Sequence, residues 1–161
     1  MFVSRSRDVA GFLVFVALCI LVSGLGGMAT SSSVGTWYQT LAKPPFNPPD
    51  WVFAPVWTAL YVLIAVAGWR VWRKIGAGDS RMPLLVYGLQ LALNLGWSVL
   101  FFGLQQVGWA LAEIVVLLAS IVATWWLFRP IDKVAALLLT PYGLWVTYAT
   151  GLNTSFVILN S

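Results

Sequence analysis

Trp57, Trp97 and Trp145, together with Gln90, Asn94, Glu113 and Asn153, are the side chains of this sequence best placed to do more than fill space. Each lies within a long apolar run. There an indole needs an acceptor for its N–H, and an amide or carboxyl is costly unless it faces a bundle interior or a cavity. The chemistry open to such a set is recognition, with flat apolar faces to grip a planar molecule and a few polar groups to orient it. Covalent or acid–base chemistry has no support. The sequence holds no nucleophile–base–acid set and no glycine-rich phosphate loop. With no histidine and no CxxC pair, the common zinc and haem-iron ligand sets are missing. No lysine sits mid-membrane to form a Schiff base, and the single cysteine, Cys19, reads as a packing residue.

The elements that hold these groups follow from composition. The chain has 161 residues, of which 60% are hydrophobic and 9% charged, and its mean hydropathy is +0.88. It is therefore read as an integral membrane protein. Apolar runs of about 20 residues, enough to cross a bilayer, fall at 9–29, 51–72, 83–103, 109–128 and 134–160. The expectation is an all-α membrane protein: a five transmembrane helix bundle forming one domain over 1–161, with a capping loop at 30–50. Membrane barrels show segments of about 10 residues with alternating polarity, whereas these runs are continuously apolar. Arg5 and Arg7 followed by an apolar stretch and GLGGMATSSS resemble a secretion signal. The apolar core exceeds the roughly 7–15 residues of such a signal, so the segment is kept as the first span.

Positive charge sets the expected orientation. Arg5 and Arg7 precede the first span, Arg70, Arg73, Lys74 and Arg81 flank the second turn, and Arg129 and Lys133 flank the fourth; Lys43 alone lies opposite. This bias predicts the N-terminus inside and the C-terminus outside. The net charge of +4 thus reports topology and gives no support to nucleic-acid binding.

Depth and spacing then group the polar and aromatic residues. At 1.5 Å per residue, Trp57 lies about 9 Å below the outer surface, Trp97 at a similar depth, Glu113 about 6 Å in and Asn153 about 10 Å in. Gln90, Asn94, Trp97 and Phe101 form one helical stripe; so do Phe53, Trp57, Tyr61 and Ile64, then Trp109, Ala112, Glu113 and Val116, then Trp145, Ala149 and Leu152. Together they predict one aromatic-walled pocket in the outer half of the membrane. Blander roles stand beside this one. Gln90 and Asn94 can bond helix to helix, Glu113 can be solvated at the interface, and Gly24, Gly26 and Gly27 can serve close helix packing. Trp51, Trp69, Trp72, Trp125 and Trp126 lie near helix ends, as interface anchors do.

KPPFNPPD places Pro44, Pro45, Pro48 and Pro49 within six positions. Proline fixes φ and biases its predecessor toward extended geometry, so this segment is expected to be a stiff external lid over the pocket mouth. A stiff lid loses little entropy on closing over a ligand. Asp50 is placed to cap the helix that follows. The plainer reading is a loop that stops one helix and starts another.

At these residues the sequence resembles the tryptophan-rich sensory protein or translocator protein family, TspO/MBR, which includes the peripheral benzodiazepine receptor. The resemblance is carried by WYQTLAKPPFNPPDWVFAPVWTALY, GLQLALNLGWSVLFFG, GWALAEIVVL and PYGLWVTYATGLN, over roughly Trp37 to Asn153. It implies a five-helix bundle, often a homodimer, that binds protoporphyrin IX or haem, sterols and isoquinoline or benzodiazepine ligands beneath the first loop, with no required cofactor beyond porphyrin as ligand. Position by position, it assigns pocket tryptophans to Trp57 and Trp145, and further lining positions to Phe53, Ala54, Asn94, Trp97, Trp109, Ala112, Val116, Ala149 and Leu152. Glu113 stands where relatives commonly carry aspartate. Many relatives follow the third-span tryptophan with proline. Here Ser98 and Val99 follow it, which predicts a locally straighter helix. The animal sterol motif is missing from NTSFVILNS.

The leading expectation is a membrane ligand-binding protein for tetrapyrroles with a sensory or signalling role, in a bacterial membrane. An enzymatic reading, limited to light-dependent protoporphyrin degradation, comes second. A transporter of porphyrin or sterol-like solutes comes third, since only Glu113 offers an ionisable group in the membrane.

Overall fold

The computed structural model describes residues 5–76 and 79–160, so the outermost residues of the expected 1–161 domain lie outside what is described. Every regular element among the described residues is helical. Helix α1 (Arg5–Val34) has 30 residues, about 45 Å at 1.5 Å per residue, which overshoots a hydrocarbon core of about 30 Å. A single turn, α2 (Trp37–Thr40), stands inside the segment expected to be loop. The prolines then hold the chain non-helical up to a 3₁₀ turn at Asp50–Val52, which opens α3 (Phe53–Lys74). Asp50 does not cap α3 with its side chain, because its carboxylate accepts a hydrogen bond from Gln39 instead (2.7 Å). Helices α4 (Met82–Ser98), α5 (Val107–Phe128) and α6 (Lys133–Leu159) complete the described chain.

Two expectations are set against the structure here. The described residues form six α-helices, and four segments are long and apolar enough to cross a membrane: Arg5–Val34, Asp50–Lys74, Met82–Gly103 and Val107–Phe128. Helix α6 is not among them, since Thr140, Thr147, Thr150, Asn153 and Thr154 dilute its apolar content. A count of five such helices is therefore not established. The second expectation is local. Without proline after Trp97, α4 does not simply continue but widens into a π-helical turn over Val99–Gly103. That turn directs both Phe101 and Phe102 into the interior, at 2% and 4% exposure. The Ser33 hydroxyl on α1 donates to the Phe102 carbonyl, which the widened turn leaves available.

The long helices pack in the cyclic order α1, α3, α6, α5, α4, so α3 and α4, joined by a short connection, are not principal neighbours. At the end where α3 stops and α6 starts, acids fasten the ring. Asp8 of α1 pairs with Arg73 (3.0 Å) and accepts from the Trp69 indole (3.1 Å). Asp132 caps α6 through the backbone N–H groups of Val134 and Ala135 and pairs with Arg70 and Lys74 of α3, each at 3.0 Å. Burial pushes the Asp132 carboxyl pKa upward, but hydrogen bonds from Lys74, Ala135 and Arg70 outweigh it and hold the value down at about 2. A Cβ added at Gly11 would overlap the Trp72 ring, and one at Gly68 would overlap Tyr87 and Phe15, so these glycines let the helices meet closely.

Candidate functional site

In the other half of the bundle the packing is looser and more aromatic. Three helices meet at Asn94 of α4, which is 2% exposed. The Tyr61 hydroxyl of α3 donates to its carbonyl oxygen (2.7 Å), and its amide donates to the Tyr142 hydroxyl of α6 (2.9 Å). One amide thereby pairs two buried hydroxyls that would each be costly alone. Asn153 of α6 makes the second junction, accepting from the Trp97 indole (3.1 Å) and donating to the Val107 carbonyl of α5 (2.9 Å).

These junctions frame two cavities. The larger, about 360 Å³, lies between α1 and α3 and is backed by α4. Its flat walls are Phe53, Trp57, Trp97 and Phe102, and its polar groups come from Ser23, Thr30 and Ser31 on α1, Asp50 and Thr58 on the α3 side, and Asn94. The smaller, about 20 Å³, lies between α3, α4 and α6, and Phe53, Trp57, Trp97 and Phe102 wall it as well. It is nearly filled by Tyr38, Phe101 and Phe156. The shared residues are thus a partition. The Trp57 ring lies tilted 5.7 Å from Tyr61 and edge-on 6.3 Å from Tyr142, while Trp97 stacks on Phe101 at 5.3 Å.

The expected site residues divide accordingly. Phe53, Trp57 and Trp97 line both cavities, Ala54 and Asn94 line the larger, and Trp145, Ala149 and Leu152 line the smaller. Trp109, Ala112 and Val116 line neither. They stand on the outer face of α5, with Trp109 71% and Val116 54% exposed, because the inward stripe of that helix is Ala110, Ile114, Leu117 and Ile121. Both faces of α5 are apolar, so aromatic content could not reveal which one turns inward. Glu113 also lines neither cavity. Among the described residues its carboxylate oxygens are buried without a hydrogen-bond partner, one of them 3.5 Å from where a Cβ on Gly96 of α4 would stand. The α1 wall was missed in the sequence reading, although Ser23, Gly26, Gly27, Thr30, Ser31 and Val34 recur at helical spacing. Gly26 packs close, with Ser98 Oγ 3.3 Å from its would-be Cβ, while Gly27 opens to free space.

Of the three tryptophans, Trp97 has found its acceptor. Among the described residues no acceptor is hydrogen-bonded to the indole N–H of Trp57 or of Trp145, which leaves two donors available at the cavities. The proline-rich segment is fastened to α2 and to α6. Tyr148 donates to the Phe46 carbonyl (2.7 Å) and Tyr38 to the Asn47 side chain (2.8 Å). Asn160 holds both peptide groups of Ala42, accepting from its N–H (2.8 Å) and donating to its carbonyl (3.1 Å). At the lip, Lys43 donates to Gln39 (2.8 Å), which donates to Asp50.

Fold and site together define a multi-helical membrane protein with an aromatic-walled cavity between α1 and α3. The sequence profile of the TspO/MBR family matches residues 15–159, and the chain belongs to that family. It is 37% identical over 159 residues to the tryptophan-rich protein TspO of Chlorobaculum tepidum, covering 96% of this chain and 99% of that protein. It is 40% identical over 158 residues to a tryptophan-rich sensory protein of Cereibacter sphaeroides, covering 96% and 94%. It is 37% identical over 141 residues to the translocator protein of Bos taurus, covering 86% and 83%.

Proposed function

We propose that the protein binds a planar tetrapyrrole, protoporphyrin IX or haem, between Trp57 and the neighbouring aromatic walls, and that occupancy serves a sensory or regulatory role. The observation that carries this reading is the pair of cavities sharing the walls Phe53, Trp57, Trp97 and Phe102. At about 360 Å³ the larger stands near the low end of ligand pockets, about 300–1,000 Å³, so a four-pyrrole macrocycle draws on both. The indole N–H groups of Trp57 and Trp145 supply donors, and the fastened Leu41–Pro49 segment supplies the cover. Sterols and isoquinoline or benzodiazepine ligands are further occupants consistent with the same walls. Glu113 stands in the α4–α5 seam outside both cavities, so binding and signalling are favoured over coupled transport.

In this reading α6, with 27 residues and about 40 Å long, is the fifth crossing. The cation-rich end then lies inside, the lid and Asn160 lie outside, and the protein works as a homodimer in a bacterial membrane. The deciding experiment is titration of purified protein in detergent with protoporphyrin IX, followed by Soret absorbance, for wild type beside the Trp57→Leu, Trp145→Leu double variant. Saturable binding that the variant loses is the expected result; equal affinity of the two proteins would remove both indoles from the site.

A further inference from the structure

Eight of the nine lysines and arginines gather at the end of the bundle where α3 stops and α6 starts. Three acids accompany them there: Asp8, Asp79 and Asp132. Arg73 is paired with Asp8, and Arg70 and Lys74 share the single carboxylate of Asp132. Among the described residues Arg5, Arg7, Arg81, Arg129 and Lys133 form no ion pair. This rim therefore carries uncompensated positive charge at the level of a lipid headgroup layer.

Two of the five unpaired cations are held in a particular way. The Arg129 guanidinium lies 5.4 Å from the Trp125 ring and 5.7 Å from the Trp126 ring, and those rings stand perpendicular at 88° to form a corner. Arg7 lies 5.8 Å over Trp72. A guanidinium seated on an indole keeps its N–H edge free, and that planar fork matches a phosphate bidentately. The opposite rim supplies the contrast. Trp51 and Trp109 are 74% and 71% exposed there, yet among the described residues no cation lies over either ring. Exposed indoles thus occur at both rims, and guanidinium-seated ones at a single rim.

We infer that Arg129 on the Trp125–Trp126 corner and Arg7 on Trp72 are sites for the phosphate headgroups of anionic phospholipids. A zwitterionic headgroup brings its own cation against a rim that already repels it, whereas an anionic one brings only the phosphate charge the rim lacks. The inference is independent of what occupies the cavities.

The test is native mass spectrometry of the detergent-purified protein with equal amounts of phosphatidylglycerol and phosphatidylcholine. Wild type is expected to retain phosphatidylglycerol preferentially. Each of Arg7→Gln and Arg129→Gln should lower that relative affinity about fivefold, the equivalent of about 1 kcal/mol per interfacial charge. Lys43→Gln, at the other rim, should leave it unchanged. Salt near 1 M, where the screening length is about 3 Å, should erase it. Equal retention of the two lipids by wild type would overturn the inference, as would a preference that survives the Arg7→Gln, Arg129→Gln double variant or high salt. Should the double variant unfold, the single variants and the wild-type salt titration decide by the same criterion.

Discussion

Single amides decide how the cavity end of the molecule holds together. Asn94 is hydrogen-bonded to the hydroxyls of both Tyr61 and Tyr142, and it joins three helices through two bonds. Replacing it with alanine leaves both hydroxyls without this partner inside the bundle. The expected loss is about 1–2 kcal/mol, the range found for polar bonds between membrane helices, read as a lower unfolding midpoint in detergent. An unchanged midpoint would show that the two tyrosines find other partners. Asn94, Trp57 and Trp97 were legible in the sequence because polar or bulky groups at mid-membrane depth have few places to go. Ser23, Thr30 and Ser31 were not, since hydroxyls that back-bond to their own helix, as Thr30 does to Gly26, cost little in any orientation.

At the scale of the element, the π turn at Val99–Gly103 controls the shape of the site. It places Phe102 in the wall between the cavities and adds Phe101 to the cluster that nearly fills the smaller one. Phe102→Ala removes part of that partition. It should cost about 3–5 kcal/mol, as buried Phe→Ala changes do, while tightening protoporphyrin IX binding in the same Soret titration. Weaker binding would instead make Phe102 part of the grip. Helix ends were legible to within a few residues because charges and prolines bound the apolar runs. The π turn was not, for one of its supports is a hydroxyl 69 residues away. Nor was the facing of α5, where lipid and protein interior ask for the same side chains.

The molecule as a whole is asymmetric along the helix axes. One end is drawn together by Asp8, Asp132 and close glycine contacts, and the other holds the two cavities. If α6 completes a fifth crossing, its two ends lie on opposite sides of the bilayer. In a Cys19→Ser background, single cysteines at Lys133 and Leu159 should then react with an impermeant maleimide from opposite faces of sealed vesicles. Labelling of both from one side would overturn the fifth crossing. Charge bias is what makes this topology an expectation from the sequence, while the polar residues of α6 blur its own apolar signature.

The clamp between Ala42 and Asn160 bears on how the protein is made. It joins peptide groups to a side chain 118 residues downstream. On a growing chain, the lid segment is synthesised long before the residue that pins it, and α6 must reach its place in the ring before that bond can form. Fastening of the proline-rich segment is therefore a late event in biogenesis, completed only once the end of the last helix is in place.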